Sequence, residues 1–170
     1  MKAKYLSLCG LFAALMALCA WISIPVLDTA ITLQSFALML ALLLLGGKWA
    51  TVAIAVYLML GAVGVPVFSG FQGGFGALLG PTGGYLWGFL AGALVYWVTI
   101  ALCGEKWQMP GVILALLTCY GCGVLWYYFA YAPGGFGLVF ARYVLPCLVP
   151  DAVKFWLACS LSRALRKRLS

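Results

Sequence analysis

The chain has 170 residues, of which 66% are hydrophobic and only 8% charged, with a net charge of +7 and no histidine. Soluble domains carry about 25% charged residues, so a water-facing surface is excluded and the chain reads as an all-α integral membrane protein in one domain, residues 1–170. Three carboxylates, Asp28, Glu105 and Asp151, argue against metal sites and acid–base catalysis, and basic residues placed at the ends of apolar runs argue against nucleic-acid binding.

Six apolar segments follow in order. The first, Tyr5–Ile24, comes after Lys2 and Lys4 and stops before Pro25. It has features of a signal peptide, but it is long enough to span and is read as the first transmembrane helix. Ala13 and Ala17 stand four apart in it, a small-residue spacing that permits close helix contact. A polar outer loop, Pro25–Gln34, leads to the second segment, Ser35–Leu45, and the third, Trp49–Ala62. Both fall short of the about 20 residues that a full span needs, and the sequence leaves open whether they cross. Gln34 either faces a pocket or bonds the helix start; both readings stand.

The second outer loop, Gly61–Gly84, holds Phe68, Phe71, Gln72 and Phe75 among many glycines. Its stretch GGFGALLGPTGGYLWGF, residues 73–89, sets bare backbone between apolar runs. Unpaired amides in hydrocarbon are costly, so this backbone must pack within protein, meet water or line a cavity. We expect it to help enclose a small ligand. Gly80-Pro81-Thr82-Gly83-Gly84-Tyr85 lacks the Lys-Ser or Lys-Thr of a P-loop, so the chain carries no visible means of using ATP. Thr82 is placed to cap the fourth segment, Gly83–Cys103, and amides there can meet an anionic group. Tyr85 suits a ligand wall; Trp87 suits packing or an interfacial belt. The fifth segment, Gly111–Tyr131, contains Cys119 and Cys122, read as small packing residues. The third outer loop, Ala132–Tyr143, carries Arg142 and Tyr143.

The sixth segment, Pro146–Leu165, holds the sharpest signal. Asp151 and Lys154 lie three apart on one helical face. Each costs about 2.5–3.5 kcal/mol to insert, so the pair belongs inside the bundle, one to two turns below the outer end. A carboxylate that accepts N–H beside an ammonium that donates to C=O suits a urea or amide group. Lys2, Lys4, Lys48, Lys106 and the tail Arg163, Arg166, Lys167, Arg168 all fall on one side of a six-span bundle. The positive-inside rule puts that side, and both termini, in the cytosol.

Taken together, ITLQSFALML, GAVGVPVFSGFQGGFGALLGPTGGYLWGF and PCLVPDAVKFWLA resemble the biotin-specific substrate-binding (S) components of bacterial energy-coupling factor (ECF) transporters, the BioY family. The resemblance implies a six-transmembrane-helix bundle in the bacterial cell membrane, with outer loops covering one biotin. It also implies a transmembrane coupling (T) protein and two cytosolic ABC-type ATPases as partners. It places Asp151 and Lys154 at the biotin ureido group and Ala13 and Ala17 against the coupling protein. Phe68, Phe71, Tyr85 and Tyr143 are candidates for biotin's apolar body, with Gln34 and Thr82 as further contacts. For the carboxylate, Arg142 and the amides near Thr82 stay open. No cofactor and no enzymatic activity are expected, and a homo-oligomer is left open. The rivals are an S component for another vitamin, expected to lack the Asp-x-x-Lys pair and the GPTGGY loop, and an ion-coupled carrier, expected to bury several charges along a path.

Overall fold

A computed structural model of the chain describes residues 2–26, 29–131 and 136–169. Asp28 and residues 132–135 of the third outer loop therefore lie outside the described residues. Helix α1 (Lys2–Trp21) is followed by strands β1 (Ser23–Val26) and β2 (Thr29–Thr32). Next come α2 (Gln34–Ala62), a short turn of 3-10 helix (Ser69–Phe71), α3 (Phe75–Leu79) and α4 (Gly83–Cys103). A second 3-10 turn (Glu105–Trp107), α5 (Gln108–Ala130), α6 (Phe136–Tyr143) and α7 (Leu145–Leu169) complete the chain. Among the described residues, five helical stretches are long and apolar enough to cross a membrane.

One of those five is two. Gly46 interrupts α2 with φ 74° and ψ 173°, a conformation that glycine adopts without a Cβ penalty. Gln34 Nε2 lies 2.8 Å from the Tyr57 hydroxyl. In a straight helix those residues would be about 34 Å apart. The chain therefore doubles back at Gly46, and residues 34–45 and 47–62 form two antiparallel arms. This gives six membrane segments. The first arm is only about 18 Å long, shorter than the hydrocarbon thickness of about 30 Å, so its Gln34 end stays recessed within the bundle.

Above that end, where the sequence predicts a polar outer loop, sits a pair of strands. Residues 23–26 and 29–32 pair as an antiparallel hairpin, Ser23 opposite Thr32 and Val26 opposite Thr29. Ile24, Val26, Thr29, Ile31 and Thr32 supply the β-branched side chains that favour strands. The third outer loop likewise contains helix, α6, before the chain turns into α7.

Much of the glycine in residues 73–89 and beyond serves helix contact. A Cβ on Gly84 would lie 2.3 Å from Trp126 Cβ, one on Gly88 2.9 Å from the Cys119 carbonyl oxygen, and one on Gly92 2.5 Å from the Ala115 carbonyl oxygen. The three lie four residues apart, so they form one seam along which the backbone of α4 presses closely against α5. The neighbouring bare carbonyls find aromatic donors. Trp87 Nε1 donates to Leu78 O at 3.3 Å, Trp126 Nε1 to Gly80 O at 3.1 Å, and the Tyr131 hydroxyl to Leu79 O. Three successive carbonyls of the α3–α4 turn are thus satisfied by side-chain donors of the protein itself.

The two ends of the bundle differ. At one end Tyr5 stacks on Trp49 at 5.1 Å beside Lys48, and Arg166 donates to the Leu43 carbonyl next to the Gly46 break. Lys4, Lys48, Lys106, Arg163 and Arg166 all belong to this end. At the other, the hairpin, the 63–82 loop and the first turns of α4 and α7 converge over a cavity. Between them lies a continuous apolar core that includes Met16, Leu38, Met39, Leu42, Ile54 and Tyr96.

Candidate functional site

Proline shapes the helix that carries the charged pair. Pro150 sits inside α7, lacks an N–H, and so opens the helical ladder one residue before Asp151. Asp151 and Lys154 are both buried, at 7% exposure each. Lys154 Nζ donates to Asp151 Oδ1 at 2.6 Å, to the Thr32 carbonyl at 2.7 Å and to Ser35 Oγ at 3.0 Å. An ammonium has three N–H donors, and all three are engaged. Ser35 Oγ in turn donates to Asp151 Oδ1 at 2.7 Å, and the Tyr120 hydroxyl donates to Asp151 Oδ2. The pair therefore welds α7 to the hairpin, the first arm of α2 and α5 at once. Such multiple hydrogen bonding is what lets a buried ion pair persist in apolar surroundings.

The pair forms the floor of a cavity of about 120 Å³. Phe68, Phe89, Leu86, Leu116 and Ile31 give it apolar walls; Ser69, Gln72 and Thr82 add neutral polar groups. An apolar pocket with a few convergent polar atoms is the usual form of a small-molecule site. Of the residues singled out from sequence, Asp151, Lys154, Gln34, Phe68, Thr82 and Tyr85 line it.

Others fall elsewhere. Phe71 is 63% exposed and stacks on Trp21 at 5.0 Å, outside the cavity; its positive φ of 57° turns it away from the neighbouring Phe68. Tyr143 is buried but outside the lining: its ring lies 4.3 Å from that of Tyr127, and its carbonyl accepts from the Tyr85 hydroxyl at 3.3 Å. Arg142 is exposed on α6 and does not line the cavity. Thr82 holds the N-cap position of α4, but its side chain makes no capping bond. Ala13 and Ala17, expected on a partner-facing surface, are buried at 2% and 6% within the core. Gly10 and Ala14, one position round the helix, are exposed instead. Lys154, expected to donate to a ligand carbonyl, directs its donors to Asp151 Oδ1, the Thr32 carbonyl and Ser35 Oγ.

The cavity also uses residues that sequence reasoning missed. Ser35 and Tyr120 complete the Asp151 shell, and Thr32 supplies the carbonyl under Lys154. Tyr57 ties the cavity to the loop above it by donating to the Val67 carbonyl at 3.0 Å. A signal existed for Tyr57: it is the only residue with a polar side chain in 52–62. Tyr120 gave none, since tyrosines recur throughout the apolar segments. On the other side of the same loop, Trp21 Nε1 donates to the Pro66 carbonyl at 2.9 Å. Successive carbonyls of the cap are thus held from α1 and from α2.

A bundle of apolar helices that keeps a satisfied charge pair under a cavity, with an aromatic-tied cap above it, defines a membrane-embedded binding protein for a small solute with a polar head. The comparisons with known proteins place it more narrowly. The chain belongs to the BioY family, whose model matches residues 1–170. It is 45% identical over 120 residues to the biotin transporter BioY of Thermotoga maritima, covering 68% of this chain and 69% of that protein. It is 40% identical over 154 residues to the probable biotin transporter BioY of Pyrococcus horikoshii, covering 91% of each. Among solved structures it is similar to the S-component for biotin from an ECF-type ABC transporter, with a TM-score of 0.85 at 25% identity over 98% of this chain and 92% of that one.

Proposed function

We propose that this protein is a biotin-binding S component of an ECF-type transporter: it captures biotin from outside the cell and hands it to an ATP-driven complex. The observation that carries this reading is a buried Asp151 whose carboxylate is held ready by Lys154, Ser35 and Tyr120 at the floor of the cavity. Oδ1 takes two donors and Oδ2 one. A carboxylate offers about four lone-pair sites, so Oδ2 retains capacity for one N–H of a ureido ring. The polar groups left unmatched by an analogue without that N–H would penalise it strongly.

The coupling protein and two ATPases supply the energy for release, and this chain carries no nucleotide-binding motif. The docking face for the coupling protein is the exposed side of α1 with Gly10 and Ala14, four residues apart, because Ala13 and Ala17 are already packed inside. Both termini face the cytosol, since Lys4, Lys48, Lys106, Arg163 and Arg166 share the end opposite the cavity. The carboxylate of biotin lies toward Ser69, Gln72 and Thr82, which are cavity-lining groups able to donate.

Uptake of labelled biotin in biotin-requiring cells tests this. Accumulation that needs intact ATPases and is not competed by riboflavin is the expected result. Uptake abolished by a protonophore and indifferent to the ATPases would replace the reading with an ion-coupled carrier.

A further inference from the structure

Tyr57 is fully buried and does not line the cavity, yet it touches two residues that do. Its ring meets that of Phe68 edge-on, with centroids 5.5 Å apart and planes at 79°. Its hydroxyl lies 2.8 Å from Gln34 Nε2 and 3.0 Å from the Val67 carbonyl. A phenol has one proton to donate. The Val67 carbonyl can only accept, so that proton is committed to it, and the hydroxyl oxygen must accept from Gln34. The orientation of a carboxamide is ordinarily ambiguous; here it follows from the chemistry of its neighbours. Gln34 turns its amide N–H toward Tyr57, and among the described residues no donor meets its Oε1. Gln34 is only 4% exposed and lines the cavity. Among the described residues no buried side-chain oxygen lacks a partner, so Oε1 is open to the cavity that Gln34 lines, where it can accept from a ligand donor.

The second acceptor at this corner is Asp151. The residue after Gln34, Ser35, bonds Asp151 Oδ1 at 2.7 Å, and Gln34 and Asp151 line the same cavity. No ammonium proton competes for the ligand, because Lys154 spends its donors on Asp151, Thr32 and Ser35. We propose that Gln34 is a second ligand-binding acceptor, held in orientation by Tyr57, and that Gln34 and Asp151 together select a head group with two N–H donors, as a cyclic urea has. This rests on the biotin reading above. Tyr57 acts through Gln34 and is a positioning residue.

The test uses biotin and its two cyclic carbamate analogues, in which one or the other ureido N–H is replaced by ring oxygen, titrated into the full-length protein in detergent. Gln34→Met is expected to weaken biotin on the order of tenfold, the value of one neutral hydrogen bond near the upper end of its range. It is expected to weaken one carbamate by the same factor and to leave the other, which already lacks the N–H facing Gln34, unchanged. Tyr57→Phe, which keeps the ring against Phe68, is expected to reproduce that pattern with a smaller factor, and serves if Gln34→Met does not fold. Tyr96→Phe, a buried tyrosine outside the cavity, is the control and is expected to change none of the three. Equal losses for biotin and both carbamates in Gln34→Met and Tyr57→Phe would overturn the proposal, since a merely structural defect does not discriminate between the analogues. Wild-type protein that binds no biotin would overturn both this proposal and the reading it rests on.

Discussion

Lys154→Met is the most informative single perturbation of the site. It removes the ammonium that meets Asp151 Oδ1, the Thr32 carbonyl and Ser35 Oγ. Asp151 is left as a buried carboxylate held only by Ser35 and Tyr120. Breaking a buried pair from one side costs about 3–5 kcal/mol, because the surviving charge is uncompensated. For a chain of this size, 1 kcal/mol moves the unfolding midpoint by roughly 2–4 °C, so the variant is expected to unfold roughly 10 °C earlier in detergent. Asp151→Leu combined with Lys154→Met removes both charges. It is expected to recover about 2 kcal/mol of that loss, the remainder reflecting the orphaned Tyr120 hydroxyl and Thr32 carbonyl, at about 1–3 kcal/mol for each buried group left unsatisfied. Both variants lose biotin binding, for want of a positioned acceptor. The assay is thermal unfolding of the two single variants, the double variant and the wild type. A Lys154→Met midpoint within about 2 °C of wild type, or a double variant as unstable as the sum of the singles, would refute the buried-pair argument.

Further outcomes follow from other parts of the bundle. Gly92→Val puts a Cβ 2.5 Å from the Ala115 carbonyl oxygen; spreading α4 from α5 is expected to cost at least the 1–3 kcal/mol typical of overpacking, read as a lower unfolding midpoint. Trp21→Phe keeps the stack on Phe71 and drops the N–H to the Pro66 carbonyl. The loss of about 1 kcal/mol from the closed cap is expected to speed biotin dissociation about fivefold in a chase experiment, with little change in the midpoint. Cys103 is exposed at the end opposite the cavity. In a chain whose other cysteines are replaced by alanine, a membrane-impermeant maleimide is expected to label it only after the cells are permeabilised; labelling of intact cells would invert the proposed topology.

What the sequence made visible was whatever breaks the apolar background. Asp151 and Lys154 stand out because charge in a membrane helix is expensive, and their spacing of three put them on one face before any coordinates. The glycine-rich stretch stood out for the same reason, although the cavity is lined by its neighbours Gln72, Ala77, Thr82 and Tyr85 rather than by glycine, and Gly84 and Gly88, with Gly92 beyond the stretch, form the seam against α5. Helix faces were not legible. In a soluble helix, polar residues mark the outer side; here lipid and core are equally apolar, so nothing distinguished buried Ala13 and Ala17 from exposed Gly10 and Ala14. Phe68 and Phe71 read alike in sequence and part only because Gly70 and Phe71 take positive φ. The hairpin was hidden by its shortness, with four residues in each strand. Tyr57 and Tyr120 were hidden because a tyrosine hydroxyl announces no partner; their roles depend on contacts 10 to 31 residues away along the chain.

The central claim is that biotin binds above Asp151. Calorimetric titration of the purified protein with biotin, on the wild type and on Asp151→Asn, tests it most directly, with thermal unfolding as the check that the variant folds. Tight, one-to-one binding by the wild type is expected, with a collapse of affinity in folded Asp151→Asn, where the carboxylate acceptor has become an amide. Wild-type affinity retained in Asp151→Asn would remove Asp151 from the binding site, and an absence of biotin binding by folded wild-type protein would rule out biotin as the ligand.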